Sequence, residues 1–294
     1  MSVITDKIKA YSIDLDKALD KTDKKTKAAL EDVIQSIEKE IAARIYKEEV
    51  VLDSKKSTMS SALKMLIALK VEIAGIFKGY YDVAAEVTKE YEKLVPEIVK
   101  TFEVTGVEAE FSKRDKEVVK YLQQVSYDEF KDLGDTFQQE LSKSIFHAII
   151  GNKTAKEIVG GVSNQLIGHK DKAGRSMTSH AKTIVNDSIL NFTRAIQYEK
   201  AMELDISYFQ YVGTIIKTTR PFCAQRAGKI ITSEQVQGWD NMTWAGKNPN
   251  LPASVACGGY NCRHHLQPLP NTVAKFIAEE LGQKLPTRPT KKPR

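Results

Sequence analysis

Apolar side chains recur at three- and four-residue steps through much of the first two thirds of the sequence. From Ala28 onward one such series comprises Leu30, Val33, Ile34, Ile37, Ile41 and Ile45. This spacing places apolar side chains on one face of a helix and polar ones on the opposite face. The series therefore predicts an amphipathic helix.

A second and longer series keeps the same spacing from Leu63 to Leu94 and stops before Pro96. Proline inside a helix removes a backbone hydrogen bond, so a helix that ends near Pro96 is expected. The stripes are wide enough for an intramolecular bundle. Self-association through these helices is possible but is not required.

A third series runs from Phe130 to Ile149 and ends at Gly151-Asn152, a dipeptide suited to a helix C-terminal turn. The next helix is predicted to begin at once. Thr154 and Glu157 have the spacing of a capping box, in which each side chain accepts a hydrogen bond from the backbone N–H of the other residue.

The pattern changes after Asp205. A helix is predicted over residues 178–203, and a polar loop precedes it at residues 171–176. Residues 208–212 and 214–216 are rich in aromatic and β-branched side chains and predict a short strand, with residues 229–232 as its partner. An irregular loop over 237–260 and a short helix over 272–281 follow. The predicted fold class is mainly α, with a helical N-terminal region and a small α+β C-terminal domain.

Formal charge divides the chain into two halves. Residues 1–150 contain 24 Lys+Arg and 28 Asp+Glu, a net charge of −4, whereas residues 151–294 contain 20 and 10, a net charge of +10. With the change in helix length, this asymmetry predicts a helical region over 1–150, a domain over 151–281 and a flexible basic tail over 282–294. The basic half indicates an anionic partner, double-stranded DNA first, although ordinary solubility charge explains it equally well.

Three classes of protein are disfavoured by the sequence: membrane-inserted proteins, secreted proteins and disulfide scaffolds. The longest strongly apolar stretch, Met65–Leu69, is far shorter than the roughly 20 residues that cross a bilayer, so no membrane insertion is expected. The first residues lack the apolar block of a secretory signal, which indicates a cytoplasmic origin. Three cysteines are too few for a disulfide scaffold, so reduced thiols or metal ligands are expected.

The densest group of chemically informative residues lies between Thr218 and Leu269. Its segments are Thr218-Thr219-Arg220-Pro221-Phe222-Cys223, Arg226, Gly228-Lys229, and Cys257-Gly258-Gly259-Tyr260-Asn261-Cys262-Arg263-His264-His265. This order, after a helix and a strand, resembles the C-terminal MuF domain of phage Mu gpF and gp7-like head morphogenesis proteins. The resemblance covers residues 178–269.

The resemblance implies a structural function in a phage virion. A minor head protein of this kind is expected in a few copies near the portal, where it acts in prohead assembly, DNA packaging or DNA ejection. Its implied partners are the portal or other head proteins, and it would be found in the host cytoplasm during assembly. No enzymatic activity is expected.

Four residues of the motif form a candidate zinc site. A tetrahedral zinc ion needs four nitrogen or sulfur ligands, which Cys223, Cys257, Cys262 and one of the adjacent His264 and His265 could supply, with His264 preferred. Many relatives have a second cysteine three residues after the first, where this chain has Arg226. The alternative interpretation treats the cysteines as small buried apolar residues.

Basic and aromatic residues of the same half are candidate contacts for DNA or an acidic partner. The basic candidates are Arg220, Arg226, Arg263, Lys291, Lys292 and Arg294. The three motif arginines could equally form structural salt bridges with Asp187 and Asp240. Trp239 and Trp244 could stack on bases, but core packing of their own loop is favoured.

Two alternative functions remain open. The adjacent His264 and His265 permit a zinc-dependent nuclease, although no Asp or Glu lies between Asp240 and Glu279 to assist them. MuF-type domains are sometimes joined to toxin domains, which permits an injected effector or ejection protein. Residues 1–150 show no catalytic motif that would support this second alternative.

Overall fold

A computed structural model describes residues 3–47, 59–151, 153–168 and 176–287 of the chain. The helices are α1 (Val3–Lys47), α2 (Met59–Lys89), α3 (Val95–Glu103), α4 (Lys113–Ile150), α5 (Ala155–Leu166), α6 (Met177–Glu203), α7 (Pro221–Ala224), α8 (Ser233–Gly238), α9 (Ala253–Ala256) and α10 (Asn271–Glu280). Turns of 3₁₀ helix lie at Glu90–Leu94 and Trp239–Asn241, and the strands are β1 (Tyr208–Val212), β2 (Ile230–Thr232) and β3 (His265–Leu269). The predicted fold class is confirmed.

The three predicted apolar stripes lie on α1, α2 and α4. Ile34 and Ile41 of α1 and Phe77 of α2 are completely buried, as their spacing predicts. The side chains of Leu63 and Leu66 lie outside the described residues. Pro96 lies in the first turn of α3, where its missing N–H leaves no helical hydrogen bond unmade, so it opens a new helix there.

The three strands form one antiparallel sheet in the order β2-β1-β3. The pairing of β1 with β2 confirms the predicted hairpin, and β3 was not predicted. Residues 214–216 are not a strand, which corrects the prediction. Strand β1 ends at Val212, which pairs with His265, the first residue of β3. Residues 214–216 therefore lie beyond the paired part of the sheet, and the side chains of Ile215 and Ile216 are exposed.

Alternate residues of β1 contribute to two apolar cores. Phe209 and Tyr211 belong to a core that also includes Phe102 of α3 and Ala201 of α6. Tyr208 belongs to a second core that includes residues of α10. Because side chains of a strand alternate between its faces, the sheet is covered by α3 and α6 on one face and by α10 on the other.

The contacts divide the chain into two compact units. The first comprises residues 1–23, 90–123 and 186–294, and the second comprises residues 24–89 and 124–185. Each unit thus takes part of α1, α4 and α6. The predicted division of the chain at residues 151 and 282 stays a prediction. None of the helices that the structure describes has the length and apolar character needed to span a bilayer.

Candidate functional site

Cys223, Cys262 and His264 come together in the first unit and are called here the thiol–imidazole cluster. One sulfur or ring nitrogen from each residue lies within 4.8 Å of the other two. The Sγ atom of Cys262 lies 3.8 Å from the Sγ atom of Cys223 and 3.8 Å from Nδ1 of His264. All three side chains are buried, so the cluster holds three polarisable donor atoms with little access to water.

Two short segments bring the cluster together. Cys223 lies on α7, which begins at Pro221 after Arg220 in an extended conformation. Cys262 and His264 lie in the turn that leads into β3, and the Gly258 N–H donates a hydrogen bond of 3.2 Å to the Cys262 sulfur. The sulfur atoms of two distant parts of the chain therefore meet where α7 faces this turn.

Two glycines leave the space that the cluster occupies. A Cβ atom on Gly258 would lie 2.2 Å from the Cys223 sulfur and 2.9 Å from the Cys262 sulfur. A Cβ atom on Gly213 would lie 2.4 Å from Cδ2 of His264. Since atoms cannot approach so closely, only glycine permits the observed positions of the two sulfurs and the imidazole ring.

Tyr211 and Arg194 orient the cluster from the sheet and from α6. The Tyr211 hydroxyl donates a hydrogen bond of 3.3 Å to the Cys223 sulfur, and its ring stacks on the His264 ring with centroids 5.3 Å apart. The buried Arg194 guanidinium donates to the carbonyl oxygens of Cys262 and Val255. These contacts fix both the side chains and the backbone of the cluster.

The two cysteines of the cluster shift each other's pKa in opposite directions. The hydrogen bond from Cys223 lowers the pKa of Cys262, and the His264 ring and the charge of Arg194 lower it further against the opposing effect of burial. The same hydrogen bond to Cys262, together with burial, raises the pKa of Cys223. Of the two sulfurs, Cys262 is therefore the one on which negative charge is favoured.

Cys257 lies outside the cluster, although it was predicted with the other three ligands. It is completely buried at the end of α9, and its sulfur does not lie within 4.8 Å of all three cluster atoms. Burial raises the pKa of Cys257 to about 12, so it is a neutral thiol. The structure brings three of the four predicted ligands together.

A cleft of 440 Å³ opens beside the cluster. The cluster forms part of its wall, and the rest includes Arg220, Arg263, Asn186, Asn261, Thr214, Thr218, Thr219, and Asp16, Asp20 and Asp23 of α1. The cleft therefore presents hydroxyl, amide, guanidinium and carboxylate groups next to the buried sulfurs. A small polar ligand in the cleft would meet groups of both charges.

The predicted basic contacts have different environments. Arg220 donates to the Tyr260 carbonyl at 2.6 Å, and the exposed Arg263 forms an ion pair of 3.0 Å with Asp20. The guanidinium of Arg226 stacks on the Phe222 ring at 3.8 Å and donates to the Phe222 carbonyl, which is a packing arrangement. Lys291, Lys292 and Arg294 lie outside the described residues.

His265 lines the same cleft but is separate from the cluster. It begins β3 and is buried, and its Nε2 atom has no hydrogen-bond partner among the residues that the structure describes. Burial lowers the pKa of His265 to about 4, so the ring is neutral at pH 7. The adjacent histidines of the sequence therefore have different environments, and only His264 reaches the two sulfurs.

The two tryptophans pack in the core of their loop, as predicted. Trp239 is buried in the sheet core, and Trp244 stacks on Phe222 with centroids 3.9 Å apart. The Trp244 ring also donates a hydrogen bond of 3.0 Å to the Gly258 carbonyl. Trp244 thus holds the turn that carries Cys262.

Several residues of the site were not predicted from the sequence. Arg194 lies in the stretch 192–197 of α6, where every residue is buried, so the helix offers no polar face to mark it. Asp187 was named from the sequence only as a salt-bridge partner of the motif arginines, and its hydrogen bond of 2.6 Å from the Asn261 N–H was not predicted. The carboxylates of α1 lie far from the motif in sequence, and no spacing rule connects them with it.

Comparison with known proteins identifies one family. The family model described as phage minor capsid protein 2 matches residues 74–280, which is more than half of the 294-residue chain. The match includes the whole cluster and agrees with the resemblance to head morphogenesis proteins. The curated proteins and the solved structures contain no significant match. The chain therefore belongs to the phage minor capsid protein 2 family, whose members are structural proteins of the virion that interact with other head proteins.

Proposed function

We propose that the chain acts near the portal of the phage head, in prohead assembly, DNA packaging or DNA ejection. The observation that carries this proposal is the family match over residues 74–280. In this proposal the protein is made in the host cytoplasm and joins the prohead in a few copies. The absence of enzymatic activity and the possible self-association of the helices remain predictions.

The proposed contact partner of the C-terminal half is double-stranded DNA or an acidic surface of a head protein. Charge supports this proposal, because residues 151–294 have a net charge of +10 while residues 1–150 have −4. The Arg263 side chain is 66% exposed, and its ion pair with Asp20 is exposed as well. Exposed ion pairs contribute little free energy, so phosphate can compete with Asp20 for this guanidinium.

The proposal is tested with a phage that encodes this chain. A nonsense mutation in the gene is propagated in suppressor and non-suppressor hosts, and proheads, filled heads and virions are then separated by density and analysed by quantitative mass spectrometry. We expect the chain in proheads and virions at far lower copy number than the major capsid protein. We also expect the mutant to yield empty, aberrant or non-infectious heads.

A second nonsense mutation, in a tail gene of the same phage, provides the control. That mutant should accumulate filled heads that still contain the chain, because head and tail assemble separately. Recovery of the chain only in the soluble host fraction would contradict the proposal. Normal infectious titres without the chain would contradict it too.

A further inference from the structure

Two of the three distances between ligand atoms of the thiol–imidazole cluster are close to those of a tetrahedral metal site, and the third, between Cys223 and His264, is at most 4.8 Å. A zinc ion with Zn–S distances of about 2.3 Å and Zn–N distances of about 2.0 Å holds its ligand atoms roughly 3.5–3.8 Å apart. Cys262 Sγ lies 3.8 Å from both Cys223 Sγ and His264 Nδ1. A cation could therefore bind with changes of only a few tenths of an ångström in the Cys262–Cys223 sulfur distance and in the distance from the Cys262 sulfur to Nδ1 of His264.

The surroundings of the cluster hold the ligand atoms before any cation binds. Gly258 leaves room for both sulfurs, the Tyr211 ring covers the imidazole, and Arg194 fixes the carbonyl of Cys262. The Nε2 atom of His264 is buried and has no hydrogen-bond partner among the described residues. Coordination through Nδ1 would leave Nε2 unpaired, so the support for a cation comes from the positions of Nδ1 and the two sulfurs.

The cluster supplies three ligands and leaves one position for another molecule. Among the described histidine, cysteine, aspartate and glutamate side chains, no fourth one joins Cys223, Cys262 and His264 within 4.8 Å. All three residues line the 440 Å³ cleft, through which a small ligand can reach them. Closed structural zinc sites have four protein ligands, whereas sites with three protein ligands keep an open position.

We propose that Cys223, Cys262 and His264 bind one thiophilic divalent cation, zinc by ligand chemistry, with a fourth position open to the cleft. Binding displaces the thiol protons of Cys223 and Cys262, together with any proton on Nδ1 of His264, and these protons pass to solvent. Two thiolates then neutralise the charge of the cation inside the core. The site ties α7 to the turn before β3 and exposes one coordination position to ligands in the cleft.

Metal content and its dependence on individual cysteines test the ligand set. Purified full-length chain is loaded with zinc, freed of excess metal by gel filtration, and measured by elemental analysis, with about one zinc per chain expected. Cys223→Ala and Cys262→Ala should each reduce bound zinc at least tenfold. Cys257→Ala is the matched control, because it removes a buried cysteine outside the cluster, and it should retain the metal.

The spectrum of the cobalt-substituted wild-type protein gives a result that does not depend on the folding of variants. Thiolate-to-cobalt charge transfer in the near ultraviolet grows with the number of bound thiolates, and an intensity corresponding to two is expected. An intensity for three thiolates would overturn the ligand set. Wild-type protein that binds no zinc and no cobalt would overturn the site itself.

The open position is tested by adding azide or imidazole to the cobalt protein. The visible d–d bands should shift and saturate with a single affinity, because the added ligand completes the coordination from the cleft. Bands that do not respond would show a closed site and overturn the open fourth position. Whether the fourth position is open or closed, Gly258→Ala should abolish the cobalt spectrum, because the alanine Cβ would occupy the space of the two sulfurs.

Discussion

Lys200 of α6 is a buried cation whose charge is balanced by two carboxylates. Its ammonium lies 3.0 Å from Asp115 and 3.0 Å from Glu203, and its side chain is only 3% exposed. Removing one partner of a buried pair leaves the other charge without compensation. We expect Lys200→Met to reduce the free energy of unfolding by about 2 kcal/mol, less than for a fully buried pair because Asp115 keeps some exposure. Urea denaturation at neutral pH measures this change.

The matched control is Lys93→Met, which removes an exposed lysine from an ion pair of 2.7 Å with Glu90. Exposed pairs contribute little, so a change within about 0.5 kcal/mol is expected there. Equal losses in the two variants would contradict the proposed importance of burial at Lys200.

The loss of stability caused by Lys200→Met should also depend on pH. Partial burial would raise the pKa of Asp115, but hydrogen bonds from Ser112 and Lys200 outweigh it and lower the pKa below its ordinary value. A carboxyl with a lowered folded pKa contributes stability above its unfolded pKa of about 3.9, and this stability is lost as pH falls through the folded pKa. The difference in Tm between wild type and variant should therefore narrow toward pH 3. A constant difference down to that pH would argue against an ionised Asp115.

The residues of the thiol–imidazole cluster could be named from the sequence, but their supporting residues could not. Cysteine and histidine are few in this chain, so their grouping near residue 260 marked Cys262 and His264 as candidates. The spacing of the cysteines in the sequence could not show that Cys257 lies outside the cluster while the Cys262 sulfur contacts the Cys223 sulfur. That distinction depends on the backbone of a turn, including a positive φ of 49° at Cys257.

The N-terminus of α5 shows an element whose boundary was encoded locally. Thr154 accepts a hydrogen bond from the Glu157 N–H at 3.3 Å, and Glu157 accepts one from the Thr154 N–H at 2.9 Å, which confirms the predicted capping box. We expect Thr154→Ala to destabilise α5 by about 1 kcal/mol, because one backbone N–H loses its partner. Amide hydrogen exchange within α5 measures this local effect.

Gly160→Ala in the same helix provides a control of opposite sign. Gly160 is exposed, and a Cβ atom there would meet nothing within 4 Å. Alanine in a helix interior is favoured over glycine by roughly 0.8–1.0 kcal/mol, so exchange in α5 should become slower. If Thr154→Ala left exchange in α5 unchanged while Gly160→Ala slowed it, the capping box would have no energetic role.

Elements whose formation depends on distant parts of the chain were predicted less well. The first half of α1 is helical, with Ile8, Leu15 and Leu19 buried, but frequent charged residues between them weakened the apolar series. Strand β3 contains Pro268, which discourages a strand prediction and is tolerated here because β3 lies at an edge of the sheet. In both cases tertiary contacts determine the structure.

The charge asymmetry of the whole chain predicts where a nucleic acid would bind. Contacts of the basic half with phosphate would release counterions, so the logarithm of the binding constant should fall linearly with the logarithm of salt concentration.

At the scale of the whole molecule, family membership shows that the chain is a virion protein, and the apolar periodicity of the sequence was enough to predict the fold class. The binding partner depends on the assembled head, which neither periodicity nor motif spacing describes.

The tail residues Lys291, Lys292 and Arg294 provide a sharp test of the DNA contact. Each neutralised phosphate contributes about −0.9 to the salt slope, so replacing the three residues with glutamine should reduce its magnitude by up to about 2.7. The control is the triple variant Lys24→Gln, Lys25→Gln and Lys27→Gln in the acidic half, which changes the net charge by the same amount. Fluorescence anisotropy with a short DNA duplex at several salt concentrations measures both slopes. If only the tail variant loses slope, the tail contacts phosphate directly. Equal losses would mean that DNA responds only to the overall charge, and the proposed role of the tail would be wrong.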